Sequence, residues 1–342
     1  MNKIYRNALA WLTAFNLVFT MLPTVGVSAT DEIPSEVVCV GGIPFGVKFY
    51  SQGIMIVGFS EIETENGIET PAWDAGLRIN DIITRVNGSE VETAGEFIGM
   101  IENAEDGISV TYLRNGDENT VSFVPSVSKE DGKRKTGMWI RDTTAGIGTV
   151  TYICPETGEF AGLGHGICDI ESGKLLKMER GIVVDVMISG INKGISGTPG
   201  ELKGYFTSDR SGVLLGNTMC GVYGVLSDVP WERIPETLEI AHRNEVHTGE
   251  AYIWCTLAGN CPQKYSIKIT DIRQTSVDDN RSFSMEVTDE RLLERTGGIV
   301  QGMSGSPIIQ DGKLIGAVTH VMVNDPTRGY GIFIENMLDA AS

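Results

Sequence analysis

A mostly β fold in two modules is what this 342-residue sequence predicts, and three observations carry the prediction. Its 42 glycines favour many tight turns and short strands over long helices. A composition of 41% hydrophobic and 21% charged residues is that of an ordinary globular chain, neither disordered nor polytopic in a membrane. The length exceeds that of one typical domain, so two compact domains behind an N-terminal extension are expected. A formal net charge of -18, with no basic stripe, excludes nucleic acid as a partner, because phosphate binding needs clustered cations. The acidity serves solubility and would also steer a basic partner segment toward the surface.

Each element follows in chain order. Lys3 and Arg6, an apolar run from Ala8 to Leu22, and Val27-Ser28-Ala29 read as an export signal over residues 1–30. The run is interrupted by Thr13, Asn16 and Thr20 and falls short of the roughly 20 residues of a spanning helix. A cleaved signal is therefore favoured over a retained membrane anchor. Six cysteines in an exported chain allow disulfides, with Cys255 and Cys261 able to close a short loop; buried free thiols are the equal alternative. No paired CxxC spacing is present, so no metal site and no cofactor are expected.

Residues 43–125 alternate short β runs with turns and one helix. Met55-Ile56-Val57 and Asp81 to Val86 read as strands, the second closed by an Asn87-Gly88 turn. Thr93 followed by Glu96 forms a capping box, with Phe97, Met100, Ile101 and Ala104 on one helical face. Val110 and Tyr112, then Val121 and Phe123, flank an Asn115-Gly116 turn and read as a closing hairpin. The run from Pro71-Ala72-Trp73 through Gly76-Leu77 and Asp81-Ile82-Ile83 to Val86-Asn87-Gly88 resembles the PDZ domains of bacterial proteases. That resemblance places Phe45, Gly46 and Val47 in the loop that holds a peptide's terminal carboxylate, so peptide C-termini or the chain's own N-terminal segment are expected partners; a closed structural module is the alternative.

Residues 126–136, rich in charge and lacking apolar periodicity, read as a linker, and residues 137–342 as the chemical domain. Gly302-Met303-Ser304-Gly305-Ser306 precedes an apolar strand, the setting acyl transfer needs. Gly302 lets the backbone turn so that its N–H and that of Ser304 can face one oxyanion. Of four histidines, His165 stands between glycines in Gly162-Leu163-Gly164-His165-Gly166, at the end of a hairpin, approachable as a general base. It precedes Ser304 by 304 − 165 = 139 residues. His242 and His247 lie in a polar segment expected to be helical and solvated.

With Gly137-Met138-Trp139 through Gly148-Thr149, Gly197-Thr198-Pro199-Gly200 and Val318-Thr319-His320-Val321 added, the chain after its signal resembles the SpoIVB peptidase family. The resemblance implies a PDZ-like α/β module followed by a trypsin-like double β-barrel with serine endopeptidase activity. It further implies self-cleavage, then cutting of a membrane-bound regulator of an intramembrane metalloprotease, leading to sigma factor activation in the space between forespore and mother-cell membranes. Carried over by residue, Ser304 is the nucleophile, His165 the base and Asp289 the acidic member, 304 − 289 = 15 residues upstream, with Asp185 as rival. Met303 stands where trypsin-like enzymes carry an aspartate, which excludes activation by a freed N-terminus pairing there. His320 is a candidate for the specificity pocket or for packing. Two other readings are an envelope quality-control protease and a non-catalytic PDZ adaptor.

Overall fold

The computed structural model describes residues 37–341, apart from 169–172, 177, 179 and 274–279. The predicted export segment lies outside the described residues. The chain is mostly β, as expected. Twelve strands build two closed antiparallel barrels. The first six are β1 (Pro44–Phe59), β2 (Met138–Ile153), β3 (Glu159–Gly162), β4 (Arg180–Asn192), β5 (Glu201–Thr218) and β6 (Gly221–Leu226). They close in the order β1-β2-β3-β6-β5-β4. The other six are β7 (Gly249–Cys255), β8 (Gln263–Ile272), β9 (Phe283–Val287), β10 (Pro307–Gln310), β11 (Lys313–Met322) and β12 (Asp325–Phe333). These close as β7-β8-β9-β12-β11-β10. Closure leaves no free sheet edge within either barrel, and alternating side chains fill each interior. In β8 and β9, Tyr265, Ile267, Ile269, Phe283 and Met285 face inward and are buried.

The PDZ-like module does not precede the first barrel; it is inserted into it. β1 and β2 each run out of the barrel, and their outer halves pair Met138 with Phe59 and Arg141 with Met55. β1 continues the module's sheet through Ile54 opposite Ile83, and Ile82–Val86 then pairs with Ile108–Arg114. Helix α1 (Ala94–Glu102) has the predicted Thr93 and Glu96 capping box and covers the module core with Phe97 and Ile101. Asn87 and Gly88, like Asn115 and Gly116, take positive φ angles, as the two-residue hairpin turns require. The segment predicted as a linker is itself a short hairpin, Ser126–Val127 against Arg134–Lys135, with Ser126 and Thr136 buried. Two shared strands therefore connect module and barrel.

Two further expectations are corrected, and of the two cysteine alternatives one is observed. Phe45, Gly46 and Val47 do not form a carboxylate loop: they lie within β1, paired with β2 and β4, and Phe45 packs edge-on against Phe160 in the barrel core. An apolar residue alternating inward along a barrel strand has its backbone N–H committed to neighbours. The six cysteines are free thiols, with Cys255 fully buried and Cys261 exposed. His242 and His247 occupy a turn rather than a helix and pair at the surface with Glu335 and Asp311. Among the described residues no helix is long and apolar enough to cross a membrane.

Candidate active site

Ser304 and His165 come from different barrels and line one cleft of about 400 Å³. Ser304 lies in the turn that feeds β10, and His165 follows β3. The two loops touch through glycine. Gly305 has a φ of 93°, and a Cβ there would collide with the Thr149 carbonyl and the Leu163 N–H. On the histidine side, Leu163 and Gly164 are consecutive left-handed residues, with φ of 67° and 66°. Left-handed geometry at a leucine is strained, and surrounding contacts must hold it. They do so here: a Cβ at Gly164 would already meet Thr319 Cγ2 at 3.0 Å, so the histidine turn rests on β11 of the second barrel.

The nucleophile turn is held by threonines that the sequence reading did not single out. Thr149 donates its N–H to the Ser304 carbonyl at 2.9 Å and its hydroxyl to the Gly302 carbonyl at 2.9 Å. Two residues on, the buried Thr151 hydroxyl donates to the Gly305 carbonyl at 2.8 Å. Both threonines point into the molecule, where a hydroxyl must find a partner. The signal was present as Thr149-Val150-Thr151 in a strand, two hydroxyls on one face two residues apart. Along the turn, the N–H groups of Gln301, Met303, Gly305 and Ser306 bond the carbonyls of Gly200, Val300, Val318 and Met303. Those of Gly302 and Ser304 have no acceptor among the described residues. This alternation leaves the two donors assigned to the oxyanion without a competing carbonyl. Met303 itself is buried in the second barrel's core.

Among the described residues, the polar groups of the cleft are arranged without a carboxylate. Ser304 Oγ donates to the Thr319 carbonyl at 2.9 Å in this conformation rather than to His165. His165 Nδ1 lies 3.0 Å from the Gly166 carbonyl, which fixes the proton on that nitrogen when the ring is neutral and leaves Nε2 as the basic atom. Burial lowers the pKa of His165, with the Gly166 contact opposing. The His320 ring stands 4.9 Å from that of His165, its Nδ1 buried without a hydrogen-bond partner among the described residues. Burial, with His165 and Arg281 adding, pushes the His320 pKa down to about 4. Both rings are thus neutral near neutral pH.

Asp289 is not brought to this cleft. It is the N-cap of α2 (Glu290–Thr296), with Oδ1 accepting from the Arg291 and Leu292 N–H groups and Oδ2 from Ser266 N–H and the Arg291 guanidinium. That guanidinium holds its pKa below the usual carboxylate range. An aspartate preceding a helix has four nearby donors, and capping satisfies it locally. Asp185 is no replacement: Oδ1 accepts from Ser211 at 2.7 Å and Oδ2 lies 4.0 Å from Arg233. The predicted His320 does line the cleft with Ser304 and His165. A separate cavity of about 710 Å³ lies in the PDZ-like module, between Phe97, Ile98 and Ile101 of α1 and Met138, Trp139 and Ile140 of β2.

Comparison with known proteins adds the family. The model described as SpoIVB peptidase S55 matches residues 132–338, and that of the PDZ domain matches residues 64–123. No curated protein is significantly similar to the chain. Among solved structures, the Rv3671c protease from M. tuberculosis in its active form is 15% identical over 57% of this chain and 72% of its own, with a TM-score of 0.32. The PDZ domain of an SdrC-like protein from Listeria monocytogenes is 20% identical over 27% of this chain and 90% of its own, with a TM-score of 0.22.

Proposed function

The chain belongs to the SpoIVB peptidase S55 family and is a PDZ-containing serine endopeptidase, and on that premise we propose that it is an exported protease of sporulation signalling. In this reading it cuts itself and then a membrane-bound regulatory protein of an intramembrane metalloprotease, in the space between forespore and mother-cell membranes. The observation that carries the catalytic part is the meeting of Ser304 and His165 in one cleft beside two N–H donors that have no acceptor among the described residues. Rotation of the Ser304 side chain away from the Thr319 carbonyl turns its hydroxyl toward His165. His165 Nε2 takes the hydroxyl proton as Oγ bonds the scissile carbonyl carbon, and Gly302 and Ser304 N–H groups hold the oxyanion. Collapse breaks the C–N bond, with the imidazolium proton passing to the leaving amine. Water then repeats the sequence on the acyl-enzyme and restores the Ser304 hydroxyl.

The PDZ-like module supplies a second binding surface in this proposal. An extended segment, either a substrate C-terminus or the chain's own N-terminal segment, adds to the β2 edge beside α1, its apolar side chains entering the cavity next to Trp139 and Ile98. Incubating wild type, Ser304→Ala and His165→Ala and following intact mass tests the proposal. Fragmentation in wild type alone is expected. Identical stability of all three in the presence of peptides that fill the module's cavity would favour a binding adaptor.

A further inference from the structure

β11 does not run regularly past the nucleophile. Val318 pairs with Gly331 and Val321 with Gly329, so β11 takes one step more than β12 over this stretch. A bulge of this kind re-aims the side chains it carries, and here it carries Thr319 and His320. The Thr319 hydroxyl donates to the carbonyls of Asn280 and Tyr330, while the Thr319 carbonyl accepts from Ser304 Oγ. His320 lines the cleft. Gly329 permits the arrangement, since a Cβ there would stand 2.6 Å from the His320 carbonyl. Backbone geometry therefore places this histidine beside the base.

The rings of His320 and His165 meet with centroids 4.9 Å apart and planes tilted by 40°. Among the described residues no hydrogen bond joins them: His165 Nδ1 turns to the Gly166 carbonyl, and His320 Nδ1 is buried without a partner. The contact is one of ring faces. When His165 takes the Ser304 proton its ring gains a full positive charge, and no carboxylate lines the cleft among the described residues to offset it. A neutral aromatic ring within about 6 Å of a cation attracts it through its π face. Burial keeps His320 neutral, and Arg281, the other cation acting on it, lies over the Tyr330 ring of β12.

We propose that His320 is a positioning residue of the peptidase reaction, its ring face orienting His165 and stabilising the imidazolium where a triad carboxylate would otherwise do so. The proposal rests on the peptidase reading above, and the test separates the two. The full chain and its His320→Leu and His320→Phe variants are labelled with a fluorophosphonate across the histidine titration range. Ser304 Oγ displaces fluoride from phosphorus as its proton passes to His165, and the adduct is followed by mass. Leucine and phenylalanine both keep the site apolar and filled, but phenylalanine alone offers an aromatic face.

His320→Leu is expected to label about tenfold more slowly, with the acid limb of its pH profile moved down by about one unit, because the imidazolium loses its π partner. His320→Phe is expected to recover most of that rate and the wild-type limb. With four histidines in the chain, imidazole carbon NMR of the Ser304→Ala protein reads the His165 titration directly. Adding His320→Leu there is expected to lower the His165 pKa, and adding His320→Phe to leave it in place, so slow labelling does not hide the effect. Equal rates and equal His165 titrations in the leucine and phenylalanine variants overturn the proposal while leaving the peptidase intact. Absence of a Ser304 adduct in the folded wild type overturns both.

Discussion

At the residue scale, two imidazoles and a set of threonine hydroxyls decide what Ser304 can do. Thr149 holds the nucleophile turn by its N–H and its hydroxyl at once, so Thr149→Val removes the bond to the Gly302 carbonyl while keeping the volume. We expect a loss of about 1 to 2 kcal/mol in stability, since a buried carbonyl loses its donor. Peptide turnover should fall as well, because the same carbonyl precedes the oxyanion donors; denaturant midpoints and kcat measured together check this. His320 carries a pH signature. Its folded pKa, near 4, lies below the ordinary histidine value of 6.5, so the unfolded chain binds the proton more readily between those limits. Stability is therefore expected to fall as pH drops from about 6.5 toward about 4. His320→Gln should flatten that slope, leaving the share that His165 contributes in the same direction. A wild-type denaturant midpoint that does not move over this range contradicts the burial of both rings.

At the scale of elements, Asp289 shows how a local rule can outweigh a distant role. It caps α2 with both oxygens, so Asp289→Ala is expected to cost about 1 kcal/mol of stability. Turnover should survive under conditions where the variant is folded; loss of kcat by orders of magnitude in a fully folded variant would instead place the carboxylate in the reaction. The elements themselves were legible where their chemistry is local. Thr93 and Glu96, Asn87-Gly88 and Asn115-Gly116 announce a cap and two hairpins from residues that contact one another in sequence. The glycine-flanked Ser304 and His165 were legible for the same reason. Long-range pairing was not: Phe45 to Val47 carry the alternation of any half-buried strand, and nothing local says that their partners lie about 100 residues away in β2 and about 140 away in β4. The support given by Thr149 and Thr151 to the serine turn also spans 154 residues and leaves only a pair of hydroxyls as its trace.

For the whole molecule, the insertion of the PDZ-like module between adjacent barrel strands makes β1 and β2 common property of both. Met138 to Ile140 edge the module's cavity, and the same strand reaches Thr149 and Thr151 behind the nucleophile. Module and first barrel should consequently unfold as one unit. Ile54→Ala, at a fully buried position in the module half of β1, is expected to cost about 2 to 5 kcal/mol and to lower the midpoint of a single transition. An early separate transition, seen by calorimetry, would show the module to be independent. The junction of the two barrels assembles a serine nucleophile with a histidine base. A fluorophosphonate probe with adduct mapping by mass spectrometry tests it most directly. We predict modification of Ser304 in wild type, loss of that modification in Ser304→Ala, and a rate reduced by about a thousandfold or more in His165→Ala. Modification of Ser304 at the same slow rate with and without His165, or none at all in the folded wild type, would contradict it.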